Sequence, residues 1–126
     1  MKPYQLTIHP MPGYLHVIAT GENSVQSVTS YINEVGVLCE QQKCSVVLIE
    51  ENLQGPGLNM FDIFKVMREL KSSPKILQWI VYVDANPAHD PGMMDFAREL
   101  AIKRGLRVRL CRTTAEAKDW IETWVK

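Results

Sequence analysis

Residues 45–64 read SVVLIEENLQGPGLNMFDIF, an apolar run passing through two adjacent carboxylates and two glycines into a stretch with helical spacing. Val46, Val47, Leu48 and Ile49 show no polar alternation, which marks a strand buried on both faces, the kind found inside parallel sheets. Gly55-Pro56-Gly57 supplies a bend, and Asn59 is a ready N-cap for a helix carrying Met60, Ile63, Phe64, Met67 and Leu70 on one side. A strand, a corner and a helix in that order form half of a strand-helix-strand crossover, so the rest of the chain is read for its partners.

On the N-terminal side, residues 5–9 and 14–20 alternate around a Pro-Met-Pro-Gly connection and predict a hairpin. Ser24 then caps a helix with Val25, Val28, Ile32, Val35 and Cys39 at steps of three and four. On the C-terminal side, ILQWIVYV (76–83) predicts a second interior strand, reached after the Ser72-Ser73-Pro74 stop. Asp90 followed by Pro91 predicts a third helix start, with Met93, Phe96, Ala97, Leu100 and Ala101 facing inward and Gly105 ending it. LRVRL (106–110) alternates strictly, as a half-exposed edge strand does. Thr113 and Glu116 form a capping box for a last helix, with Ala117, Trp120, Ile121 and Trp124 inward.

The expected fold class is therefore α/β: a single mixed, mostly parallel five-stranded sheet, with an N-terminal hairpin followed by alternating helix and strand, and four helices in one domain spanning 1–126. Sorting the strands by parity places Gln5, Thr7, His9, Tyr14, His16, Thr20, Gln78, Tyr82, Arg107 and Arg109 in the more polar sets. The helices are accordingly expected to cover mainly one face, and a homodimer contact is expected on the other.

The 126 residues carry 14 basic and 14 acidic side chains, so no net field draws in a polyanion, and nucleic acid is not an expected partner. No segment approaches the roughly eighteen apolar residues of a transmembrane span. The N-terminus has neither signal- nor transit-peptide character, and Cys39, Cys44 and Cys111 form no C-x-x-C pair. A cytoplasmic setting with reduced, structural thiols is the expectation.

Three pieces carry a family resemblance: SVVLIEENLQG before the second helix, FARELAIKRGLRVRL (96–110) joining the third helix to the last strand, and TTAEAKDWI (113–121) as the closing helix. With the order of elements they resemble the STAS domain of anti-sigma factor antagonists, and more nearly the SpoIIAA-like (STAS/SEC14-like) group of small uncharacterised proteins. The resemblance implies partner binding rather than turnover. In the antagonists it depends on a phosphorylatable serine at the start of the second helix, whereas QGPGLNMFD (54–62) holds no serine or threonine. What the resemblance leaves is a recognition surface at Asn52–Asn59 and the helix it opens.

Glu50 and Glu51, if they continue the strand, point to opposite faces and cannot form an acid-base pair. No glycine-rich or lysine-bearing phosphate loop and no receiver-type acidic constellation occurs, so no catalytic residue, cofactor or metal is assigned. Because ligands in α/β sheets gather beyond the carboxyl ends of strands, the candidate binding residues are Asn52, Gln54, Gly55, Gly57, Asn59, Asp84, Asn86 and His89, with Asp90 already serving as a cap. His9 and His16 are expected as diagonal hairpin neighbours, with His9 opposite Tyr14. The methionines and phenylalanines of the second and third helices are expected in the core. The alternative is a pocket for a lipid or another small apolar ligand.

Overall fold

The computed structural model describes residues 2–72 and 74–125. Five strands, β1 (Tyr4–Met11), β2 (Tyr14–Glu22), β3 (Val46–Gln54), β4 (Trp79–Asp84) and β5 (Val108–Cys111), form one sheet in chain order. β1 and β2 are antiparallel, and every later pair is parallel. The helices are α1 (Val25–Gln42), α2 (Met60–Glu69), α3 (Pro91–Lys103) and α4 (Thr114–Val125). Ser24, Asn59 and Asp90 cap α1, α2 and α3 as their positions predict, and the Asn59 cap is a full box with Asp62. The expected class and order of elements hold; Ser73, part of the expected stop, lies outside the described residues.

Strands laid down in order, each joined to the next by a right-handed crossover, put every crossover helix on the same side of the sheet. That side carries α1, α2 and α3, packed on Leu15, Val17, Ala19, Val47 and Ile49. α4 follows the last strand, is not a crossover, and covers the other side. There Ala117 and Ile121 meet Val46, Leu48, Val81 and Val83, with the Trp79 and Trp120 rings edge to face at 5.1 Å between centroids.

The helices do lie mainly on one face, three on one side, while the fourth packs the other and leaves neither side bare of helix. The predicted polar face is corrected. Tyr82 is register-paired with Ile49 and Leu110 and joins the helix-covered side, whereas Arg109 lies on the α4 side, its guanidinium 4.8 Å from the centre of the Trp120 ring. The two parities of β4 exchanged roles because Trp79, Val81 and Val83 supply the apolar surface that α4 needs.

Other boundaries move for local reasons. β3 runs to Gln54 because β2 pairs alongside it as far as Glu22, so residues 52–54 are strand and not loop. β4 starts at Trp79 because Pro74 and Leu77 close a turn, Leu77 N–H donating to the Pro74 carbonyl. β5 begins at Val108, Leu106 N–H being spent on the carbonyl of Ala101 at the end of α3. In the hairpin His9 pairs directly with His16, and Met11, not His9, lies opposite Tyr14, so β1 runs two residues further than expected before the turn; the rings of the two histidines are 5.9 Å apart. Trp124, at 40% exposure, is not inward.

Candidate functional site

The strand register carries Glu51 and Asp84 to adjacent positions on neighbouring strands, on the side covered by α1, α2 and α3. Parity sends Glu50 the other way, where its carboxylate meets His16 Nε2 at 3.1 Å and accepts from the Thr114 hydroxyl at 2.9 Å. The opposite orientation of the two glutamates was legible in the sequence. That Glu51 meets Asp84 was not, because it depends on which strand lies beside β3 and in which register.

Glu51 is buried, 4% exposed, and accepts a hydrogen bond from the hydroxyl of Tyr31 on α1. Burial raises its pKa, and the hydroxyls of Tyr31 and Tyr82 pull against that rise without cancelling it. Both phenols are pushed well up, by burial first and by the Glu51 charge second. Asp84 Oδ2 lies 2.8 Å from His89 Nδ1. Burial works to lower the His89 pKa, but the hydrogen bond and charge of Asp84 prevail and raise it. His89 Nε2 lies 3.2 Å from the carbonyl oxygen of Gly55, so the loop after β3 and the loop after β4 meet at this ring. A Cβ on Gly57 would stand 3.7 Å from His89 Cδ2, so Gly57 packs against the same imidazole.

The expected site residues divide. Gly55, Gly57, Asp84, Asn86 and His89 come together: Asn86 donates to the Leu53 carbonyl at 2.8 Å, and its backbone N–H donates to Asp84 Oδ1 at 3.0 Å. Asn52 and Gln54 are corrected. As strand residues they share the parity of Glu50, point to the opposite face, and hydrogen-bond each other at 3.2 Å. The Asn59 side chain is consumed by its capping box, accepting from Asp62 N–H at 2.9 Å, although the residue lines the mouth of the cavity described next. Tyr31, Glu51, Tyr82 and Asn23, whose amide donates to the Pro56 carbonyl at 2.9 Å, were missed. Tyr31 had a sequence signal, since it falls on the apolar stripe of α1 beside Val28 and Val35.

Above this cluster, between α1, α2, α3 and the sheet, lies a cavity of about 480 Å³. Its walls are overwhelmingly apolar, among them Ile32, Val66, Met67, Ile80, Met93 and Leu110, while Glu51, Asp84 and His89 close one end. Met67 and Met93 are therefore wall and not solid core, whereas Met60 and Phe64, expected inside, are about half exposed and Phe61 is 78% exposed. The volume is that of a small-molecule site, and a few converging polar groups in an apolar cleft are how such sites fix orientation. Glu51, Asp84 and His89 each offer a ligand atom within 4.8 Å of the others, a donor set that fits a divalent cation. The imidazole, however, already faces Asp84 through one nitrogen and Gly55 through the other.

The fold is similar to that of an uncharacterised DUF3478-family protein with a SpoIIAA-like fold from Shewanella loihica PV-4. The TM-score is 0.52 at 13% identity, over 96% of this chain and 95% of that one. No protein-family model matches the sequence. No curated protein matches it either. The likeness establishes the SpoIIAA-like fold, and the neighbour, itself uncharacterised, brings no activity with it.

Proposed function

We propose that this SpoIIAA-like fold works as a single-domain, non-enzymatic module that binds a small, mainly apolar ligand between its helices and its sheet. The observation that carries the reading is the cavity of about 480 Å³, apolar along its walls and polar at one end. Burying an apolar ligand there releases ordered water at roughly 25 cal/mol per Å² of surface, and the buried polar end sets which way the ligand lies. Among the described residues no helix is long and apolar enough to cross a membrane.

The test is binding of a neutral apolar dye such as Nile red, together with native mass spectrometry of the purified chain. Ala97 lines the cavity from α3, and Ala97→Phe places a ring inside it. Dye affinity is expected to fall by about tenfold or more, equivalent to roughly 1.4 kcal/mol of lost binding. Phe61→Ser, on the exposed face of α2, leaves dye binding unchanged. Dye binding that ignores Ala97→Phe sinks the reading.

A second reading has its own observation. Met60, Phe61 and Phe64 expose an apolar patch on α2, next to the loop expected to serve recognition. This supports a regulatory role in which a protein partner with an apolar surface docks on α2. A cytoplasmic setting belongs to it, supported by the three unpaired cysteines. So does a homodimer, supported by the exposed Gln5, Thr7 and His9 of edge strand β1. Loss of partner capture in Phe61→Ser, with dye binding intact, is the result this reading expects.

A further inference from the structure

The polar end of the cavity is unbalanced in charge. Its only imidazole is already matched, His89 Nδ1 lying 2.8 Å from Asp84. Glu51 lines the same cavity, is 4% exposed, and takes part in no ion pair among the described residues; around it stand the hydroxyls of Tyr31 and Tyr82, the Asp84 carboxylate and, within 4.8 Å, the His89 imidazole that Asp84 already holds. Asp90 adds a third carboxyl at the mouth, where it accepts from Gly92 N–H. The other cation of the lining, Arg98 on α3, is flanked by Asp95 at 3.9 Å and Glu99 at 3.5 Å.

An apolar-bodied ligand entering this cavity therefore meets carboxyl groups in excess of cations at its polar end. A ligand carboxylate there would face Asp84 and the Glu51 carboxyl, and a like charge beside Asp84 in a desolvated site is strongly disfavoured. An ammonium has the opposite fit. The ligand atoms of Glu51 and Asp84 lie within 4.8 Å of each other, and charge-assisted hydrogen bonds of about 2.7–2.9 Å let one nitrogen reach both.

Resting on the ligand-binding reading above, we propose that the cavity selects ligands whose apolar body ends in a protonated amine, held between Glu51 and Asp84. The amine supplies the counter-charge that Glu51 lacks, leaves the Asp84–His89 pair in place, and asks for no rearrangement of the loops. It also explains why a carboxylate is kept at the bottom of an apolar cavity, where burial alone favours its neutral form. Binding of the cation draws Glu51 to its ionised form and releases the proton.

Isothermal titration with decylamine, decanol and decanoic acid, below their micellar concentrations, tests this in the full chain and in Glu51→Gln. Decylamine is expected to bind about tenfold or more tighter than decanoic acid, with the alcohol between them. In Glu51→Gln the amine falls to the level of the alcohol, and retained decanol binding shows that the cavity is intact. In the unsubstituted chain the affinity for the amine rises with pH as Glu51 and His89 lose their protons, while that for the alcohol stays flat. Decanoic acid binding as tightly as decylamine, or a flat pH profile for the amine, overturns the selectivity and leaves the ligand reading standing. Zn²⁺ alone bound by the unsubstituted chain and lost in Glu51→Gln overturns it in favour of a metal site. Failure of all three probes to bind defeats the ligand reading itself.

Discussion

Glu50 and Glu51 are neighbours in the chain and inhabit different chemistry. Glu50, on the α4 side, keeps a quarter of its side chain in solvent and hydrogen-bonds His16 and Thr114. Glu51, on the side of the three crossover helices, is buried beneath the cavity with two phenols and Asp84. The two sides of the sheet differ in the same way. On the α4 side Val46, Leu48, Val81 and Ile121 are buried together, with Tyr14 and the tryptophan pair packed against them. On the other side α2 and α3 touch each other through Phe64 and Phe96, 5.5 Å apart edge to face, and leave an apolar volume beneath them. One side of the sheet is filled by α4; the other keeps an apolar space with buried polar groups at one end.

Substitutions that exchange these roles break the contrast. The largest effect is expected from Ile121→Ala: Ile121 is fully buried in the packed side, and a deleted core isoleucine costs about 2–5 kcal/mol. Urea denaturation of this variant should show that loss, with dye binding preserved in the folded fraction. Tyr31→Phe comes next, removing the hydroxyl that donates to buried Glu51 and costing about 1–3 kcal/mol. The same measurement reads it, and a loss near zero would mean that Glu51 draws its support from Tyr82 alone.

A titration sharpens the comparison further. Glu51 and His89 both have raised folded pKa values, so each contributes stability that is complete below its ordinary value, 4.5 and 6.5 respectively, and that is lost as pH rises through its folded value. Stability to urea should therefore decline from about pH 4.5 upward, with a further decline above about pH 6.5 that His89→Gln should flatten. A decline unchanged in His89→Gln would show that the imidazole is not its source. The smallest effect belongs to Glu50→Gln: its partly exposed contact with His16 is of the kind worth less than about 1 kcal/mol, and dye binding should not change.

Much of this architecture was legible in the residues. The unbroken apolar run at 46–49 named an interior strand, and Ser24, Asn59 and Asp90 named three helix starts, because capping is a contact between residues two or three apart. The meeting of the Gly55–Gly57 loop with His89 followed from the alternation of strands and helices, which returns each strand end to the same edge of the sheet. The errors lay where side chains are assigned to faces. Asn52 and Gln54 looked like loop residues until the β2 ladder extended β3 past them, and Tyr82 looked solvent-facing until α4 claimed the opposite parity of β4.

What the sequence determined by itself was local: element types, their order, their caps and the opposed directions of Glu50 and Glu51, all set by contacts within a few residues or by a backbone period of two. Only the tertiary structure decided that Glu51 stands beside Asp84, that Tyr31 reaches down to it from α1, and that Met67 and Met93 border a space instead of filling one. Those outcomes depend on strand register and on how closely three helices settle on a sheet, and both are properties of surfaces distant in the chain that meet only once it has folded.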